Sequence, residues 1–242
     1  MAERKLIDVP RLVIGALIVG LAGQIALKNS LPPPRAVAAD LTPAPSLASM
    51  RLAALGDPIP LAKLLMLRLQ AFDYQAGSKT PYQALDYEKL TQWLRLILQL
   101  DPNGQYPLLA ASRIYAEVPN EAKQRLMLEF VYRQFLVDPD RRWPWLANAA
   151  VIAKHRLKDL PLARRYAAAI QQHAKGPNVP LWAKQMEIFI LEDMDELETA
   201  RIMIGGLLAS GTISDPAEIR FLDQRLREIE ARIRRGRGKP KS

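Results

Sequence analysis

The sequence predicts an all-α protein: an N-terminal single transmembrane helix followed by an α-solenoid of about three to four helical hairpins. Three observations carry this expectation. One long apolar run, Leu12–Leu27, stands near the N-terminus. From about Ile59 onward, apolar residues recur at i, i+3 and i+4 instead of alternating. Four short breaks, "LQLDP", "FLVDP", "HAKGP" and "TISDP", end at Pro102, Pro139, Pro177 and Pro216, at spacings of 37, 38 and 39 residues. A nearly fixed period of that size marks stacked units, each burying a face on the next.

Composition narrows the possibilities. Of 242 residues, 49% are hydrophobic, which suffices for a sizeable core. Glycine is scarce, alanine and leucine dominate, and β-branched alternation is rare, all of which favours helix. The absence of cysteine excludes disulfides, thiolate chemistry and cysteine-type zinc sites. The net charge of +9 is unevenly placed. Residues 232–242 hold six basic side chains and no acid, and residues 1–30 hold four against Glu3 and Asp8. The remaining body is close to neutral, so a fold-wide basic surface for nucleic acid is not expected.

Residues 1–30 are expected to form the membrane anchor. The run "LVIGALIVGLAGQIAL" spans roughly 24 Å at 1.5 Å per residue, against ~30 Å of hydrocarbon. Snorkelling by Arg11 and Lys28 is expected to close the gap. Leu12, Gly15, Ala16, Gly20, Gly23 and Leu27 mark the span, with Ala16, Gly20 and Gly23 on one face, where a second helix could approach closely. A buried core helix and a cleaved signal peptide are the alternatives, the latter because "AVAAD" (Ala36–Asp40) offers an Ala-x-Ala site. Arg4, Lys5 and Arg11 before the span, against Lys28 and Arg35 after it, favour a cytoplasmic N-terminus. The expected address is therefore the inner (cytoplasmic) membrane of a bacterial cell, single-pass, with a periplasmic domain.

Residues 31–57, rich in proline, read as a semi-rigid linker. Residues 58–231 read as the helical-repeat domain and residues 232–242 as a basic, disordered tail. Within the domain, Leu61, Leu64, Leu65, Leu67, Leu69 and Phe72 belong to one helix. Leu90, Trp93, Leu94, Ile97 and Leu98 form the inward face of the next. Each period is expected to hold a first helix, a break and a second helix. The breaks "EVPNEA", "LKDLPLA" and "EDMDELETA" place Pro, Asn or Asp where a second helix starts, and Asp195 with Glu198 has the form of a capping box. In "VDPDRRWPWLANAA", Pro144 suits the first turn of a helix and Trp145 its inward face. Arg-Arg-Trp keeps an alternative reading as exposed recognition surface.

No reaction centre is legible, and the protein is not expected to be an enzyme or to hold a cofactor. His155 and His173 lie near helix ends, where a cation meets the negative end of the helix dipole. There is no phosphate-binding glycine loop and no H-E-x-x-H. The acidic run Glu192, Asp193, Asp195, Glu196 lacks the spacing of a calcium loop. The tail residues Arg232, Arg234, Arg235, Arg237, Lys239 and Lys241 suit a solvated terminus or an anionic partner. With no aromatic among them, specific single-strand recognition is not expected.

Trp145, Asn148, Ala149 and Ile152, followed by Ala163 and Ala167, resemble the tetratricopeptide repeat. So do Trp182, Gln185, Met186 and Phe189 with Ala200 and Ile204, and Leu108, Ala111, Ser112 and Tyr115 with Ala122 and Leu126. The resemblance covers about Leu61 to Arg232. The Leu-Gly pair is missing, Met186 replaces a small residue, and the period exceeds that of the family. The resemblance implies that first helices line a concave face. Tyr106, Leu109, Arg113, Ala116 and Glu117 would point into it from one unit. Trp143, Leu146, Ala150, Ala153 and Lys154 would do so from the next, and Pro180, Ala183, Glu187, Ile190 and Leu191 from the last. Tyr106, Arg113, Glu117, Trp143, Lys154 and Glu187 are the candidate partner groove, suited to a peptide or helix and not to a small molecule.

The expected function is a membrane-anchored scaffold binding another protein, as assembly factor or accessory subunit of a membrane complex. The alternatives are a cytoplasm-facing repeat protein whose tail contacts RNA or ribosome, and a cleaved, secreted repeat protein.

Overall fold

The computed structural model describes residues 10–30, 41–71, 84–211, 213 and 215–237, and among these twelve α-helices follow one another. No strand occurs among the described residues. The described chain divides into two units, the first contributing helix α1 (Arg11–Ser30) and the second running from Leu41.

Helix α1 requires a correction. The sequence predicted a membrane span over Leu12, Gly15, Ala16, Gly20, Gly23 and Leu27. Among the described residues, no helix is long and apolar enough to cross a membrane. The physical reason is length: the apolar part is confined to Leu12–Leu27, and about 24 Å of helix falls short of the ~30 Å hydrocarbon layer. With the span goes the expected single-pass inner-membrane address of the domain. On the helix, Leu12, Leu17, Ile18 and Val19 are exposed, and a Cβ added at Gly15, Gly20 or Gly23 would meet nothing within 4 Å.

The second unit starts earlier than the predicted boundary at residue 58. Leu41 is buried in the core, and the Trp93 indole Nε1 donates to the Thr42 carbonyl at 2.8 Å. Helix α2 (Leu47–Ala53), capped by Ser46, packs on α3 (Pro58–Ala71) and α4 (Tyr87–Leu100). Proline-rich composition does call for extended chain, but extended chain can lie buried against a helix whose side chains satisfy its carbonyls.

The helices then pair in order: α3 with α4, α5 (Tyr106–Arg113) with α6 (Glu121–Phe135), and α7 (Pro139–His155) with α8 (Leu160–His173). In the next hairpin, α9 (Leu181–Lys184) and α10 (Met186–Asp193) share one strut broken at Gln185, and α10 packs on α11 (Leu197–Ala209). The long α12 (Pro216–Arg237) lies on α11. Successive hairpins touch: α5 and α6 meet α7, and α8 meets α10. This all-helical order is compatible with a helical-repeat fold.

Local chemistry places the breaks. Asp86, Asn120 and Asp159 cap α4, α6 and α8 by accepting backbone N–H groups of the first turn. The capping-box reading of Asp195 is corrected. Asp195 has φ of 60°, and the Glu196 N–H bonds back to the Leu191 carbonyl at 2.9 Å. That left-handed residue terminates α10, in the geometry usually given to glycine. Lys158, one period earlier, is also left-handed, with φ of 53°, just past the end of α7. Helix α7 begins at Pro139, so Pro144 lies inside the helix and not in its first turn. Two cores result, a large one from Leu41 to Ile190 and a smaller one joining α10, α11 and α12 through Ile188, Leu191, Ile204, Leu222 and Ile229.

Candidate partner-binding surface

The hairpins are joined by polar contacts about one period long. The Trp145 Nε1 donates to Gln105 Oε1 at 2.6 Å, and the Asn148 amide donates to the Ser112 carbonyl at 2.7 Å. Arg125 reaches Asp159 at 2.7 Å, and the Gly176 N–H donates to Asp140 Oδ1 at 2.7 Å. Asp159 thereby caps α8 and holds α6 at once. The Leu162 N–H and the Arg125 guanidinium together hold its carboxyl below the usual carboxylate range.

This seam absorbs much of the predicted groove. Glu117 is exposed but paired with Arg156 at 3.0 Å. Half-buried Lys154 pairs with Asp193, and buried Glu187 pairs with Arg164 at 3.1 Å. Ala116, Leu146, Ala150, Ala153, Ala183, Ile190 and Leu191, placed in the concave face by phase, are buried in the core. Arg113 is exposed, and half-buried Trp143 meets exposed Trp182 edge to face, with centroids 5.4 Å apart. The six groove residues therefore do not form one continuous face. Side chains that the phase sends toward a groove are used where one hairpin meets the next.

Arg142 behaves unlike a recognition residue. Only 2% exposed, it donates from Nη1 to the Gln134 carbonyl at 2.8 Å and from Nη2 to the Pro102 carbonyl at 3.0 Å. The guanidinium thus closes the C-terminal ends of α6 and α4, where carbonyls lack helical donors. Burial lowers its pKa against the pull of Asp138, and it remains a cation. Arg141 binds Asp138 and Asn103. The exposed-recognition reading of Arg-Arg-Trp is corrected for Arg142: its place is in the seam.

The predicted basic tail begins as helix, since α12 runs to Arg237. Arg232 reaches both Glu192 and Asp195 at 3.5 Å, while Arg234 and Arg235 are exposed. Lys239 and Lys241 lie outside the described residues. His155 and His173 are exposed at the ends of α7 and α8. No group of three or more metal-ligating side chains occurs among the described residues.

What residue-by-residue reading missed is a cleft of about 550 Å³ between α3 and α5. Met66 and Leu67 of α3 line one wall, Tyr106 and Pro107 of α5 the other, and Ile97 of α4 lines it as well. The Gln70 amide donates to the Tyr106 hydroxyl across it. Where α5 packs on α7 one period later, α3 and α5 stand apart. Leu67, in the α3 wall, and Leu64, three residues before it on α3, are each 64% exposed. The only sequence signal for this was the nearly unbroken apolar character of "PLAKLLMLRL", which exceeds what one buried face needs.

No protein-family model matches the chain, and no curated protein and no solved structure matches it.

Proposed function

We propose that this chain is a protein-binding scaffold of stacked helical hairpins, of the tetratricopeptide kind, acting as an assembly factor or accessory subunit through the α3–α5 cleft. The observation that carries this reading is the cleft itself. Its apolar lining includes the exposed Leu67, and Leu64 is exposed three residues before it on α3. Apolar side chains presented together to water, beside a concavity of this size, suit a partner's apolar segment. The tetratricopeptide kinship draws its support from hairpins repeating at 37 to 39 residues with one-period contacts between them.

The test is a photo-cross-linking amino acid placed at Leu64 or Leu67 in cells, with Arg220 on α12 as the surface control. A discrete cross-linked protein species from positions 64 and 67, missing from 220, is the expected result. Equal, diffuse labelling at all three positions would remove the reading.

A further inference from the structure

The first helix of the second hairpin, α5, rests on the first helix of the next, α7, through Trp145, Asn148, Gln105 and Ser112. Between α3 and α5 lies the cleft, bridged among the described residues by Gln70 and Tyr106. Two roughly neighbouring helices with an apolar hollow between them form a seat for a third helix, because a helix presents its apolar side chains as a ridge that fills such a groove.

The charges around the hollow specify the helix. Of the charged residues between positions 47 and 71, Arg51, Asp57, Lys63 and Arg68, Lys63 lines the cleft and the other three do not. Asp57 is occupied, its carboxylate accepting the Ile59 N–H at 3.2 Å. Arg68 lies over the Trp93 ring at 5.6 Å. Lys63 lines the cleft, is exposed, and has no carboxylate partner among the described residues. The opposite wall carries Asp101, whose carboxyl oxygen Oδ2 lies 2.9 Å from where a Cβ on Gly104 would stand. An incoming carboxylate is attracted at Lys63 and repelled at Asp101, so the two walls set the register of the guest's charges.

We propose that the α3–α5 cleft takes the apolar face of an amphipathic helix from a partner protein, with acidic side chains of that helix lying along Lys63. This rests on the docking reading above. It adds the conformation and the charge of the partner segment.

The probes are two fluorescein-labelled, hydrocarbon-stapled helical peptides with identical leucine faces, one flanked by Glu and the other by Lys. Binding to the full chain is followed by fluorescence anisotropy. The Glu-flanked peptide binds the tighter by about three- to tenfold, the range expected of partly exposed interfacial ion pairs. Lys63→Glu reverses that preference, whereas Arg220→Glu, which changes the net charge equally, leaves it in place. Leu67→Asp abolishes binding of both peptides, and because Leu67 is exposed the variant keeps its helical circular dichroism. If both peptides bind equally and both are lost with Leu67→Asp, docking stands and the acidic partner is overturned. A preference that Lys63→Glu leaves unchanged also overturns it. If neither peptide binds, or if Leu67→Asp has no effect, the docking reading itself falls.

Discussion

Arg142 and Pro102 stand forty positions apart in the chain and are joined by a hydrogen bond of 3.0 Å from the guanidinium Nη2 to the proline carbonyl. The same side chain holds the Gln134 carbonyl, so one buried cation ties α7 to the ends of the two preceding second helices, α4 and α6. Arg142→Ala removes the guanidinium donor from the Pro102 and Gln134 carbonyls and leaves a void, and should cost about 2–4 kcal/mol. Arg142→Lys keeps the charge but loses the fork that reaches both ends, so its loss should be intermediate. Urea denaturation midpoints check the order wild type, lysine variant, alanine variant.

Gly176 has no room for a side chain. A Cβ would stand 2.9 Å from Asp140 Cγ, and the carboxylate that crowds it also accepts the Gly176 N–H. Gly176→Ala should therefore destabilise by about 1–2 kcal/mol. In an Asp140→Ala background the same change should be close to neutral. A double-mutant cycle by thermal denaturation measures the coupling, and additive losses would refute the contact.

Asp159 gives the fold a pH-dependent element. Its carboxyl titrates lower in the folded state than in the unfolded chain, held by the Leu162 N–H and by Arg125. For such a group the stabilisation is full above the unfolded value and fades as pH falls through the folded one. Asp159→Asn should thus cost about 1 kcal/mol at neutral pH, mostly through the weaker cap and the lost ion pair. The gap in melting temperature between wild type and variant should close as the pH drops below about 4. A gap constant from pH 7 to pH 3 would contradict the assignment.

Glu192 anchors α12. Its side chain is 5% exposed and meets Arg225 at 2.8 Å and Arg232 at 3.5 Å. Because α10, α11 and α12 share a small core of their own, loss of this anchor should loosen that end first. Glu192→Ala removes the buried carboxylate that Arg225 and Arg232 share, leaving them the exposed Glu228 and Asp195, and should speed amide hydrogen exchange in α12 by about tenfold or more, the equivalent of ~1.4 kcal/mol. Exchange in α4 through α8 should hardly change. Uniform acceleration along the chain would mean that the two cores unfold together.

Several of these contacts were invisible in the sequence for definite reasons. Arginine is usually exposed, so "DRRW" read as surface or helix start, and only the carbonyls of Gln134 and Pro102, supplied by earlier hairpins, make Arg142 a buried residue. Pro144 normally marks a first turn, yet Pro139 already supplies that turn and the helix continues through the second proline. The acidic Asp195 matched a cap pattern but adopts a left-handed conformation that ends the preceding helix. The six predicted groove residues followed repeat phase, whereas Glu117, Lys154 and Glu187 are taken up by ion pairs to Arg156, Asp193 and Arg164.

By itself, the sequence determined the all-helical class, the period and the positions of most breaks. These depend on residues close together in the chain: apolar spacing along one helix, and Asp, Asn or Pro at its ends. The predicted membrane span rested on hydropathy alone and failed on length. Only the tertiary structure decided which polar side chains became seam, that Leu41 and Thr42 join the core, and that α3 and α5 part to leave an apolar cleft. Those outcomes depend on segments some thirty to fifty residues apart meeting or failing to meet, and one-dimensional periodicity says nothing of the distance between them.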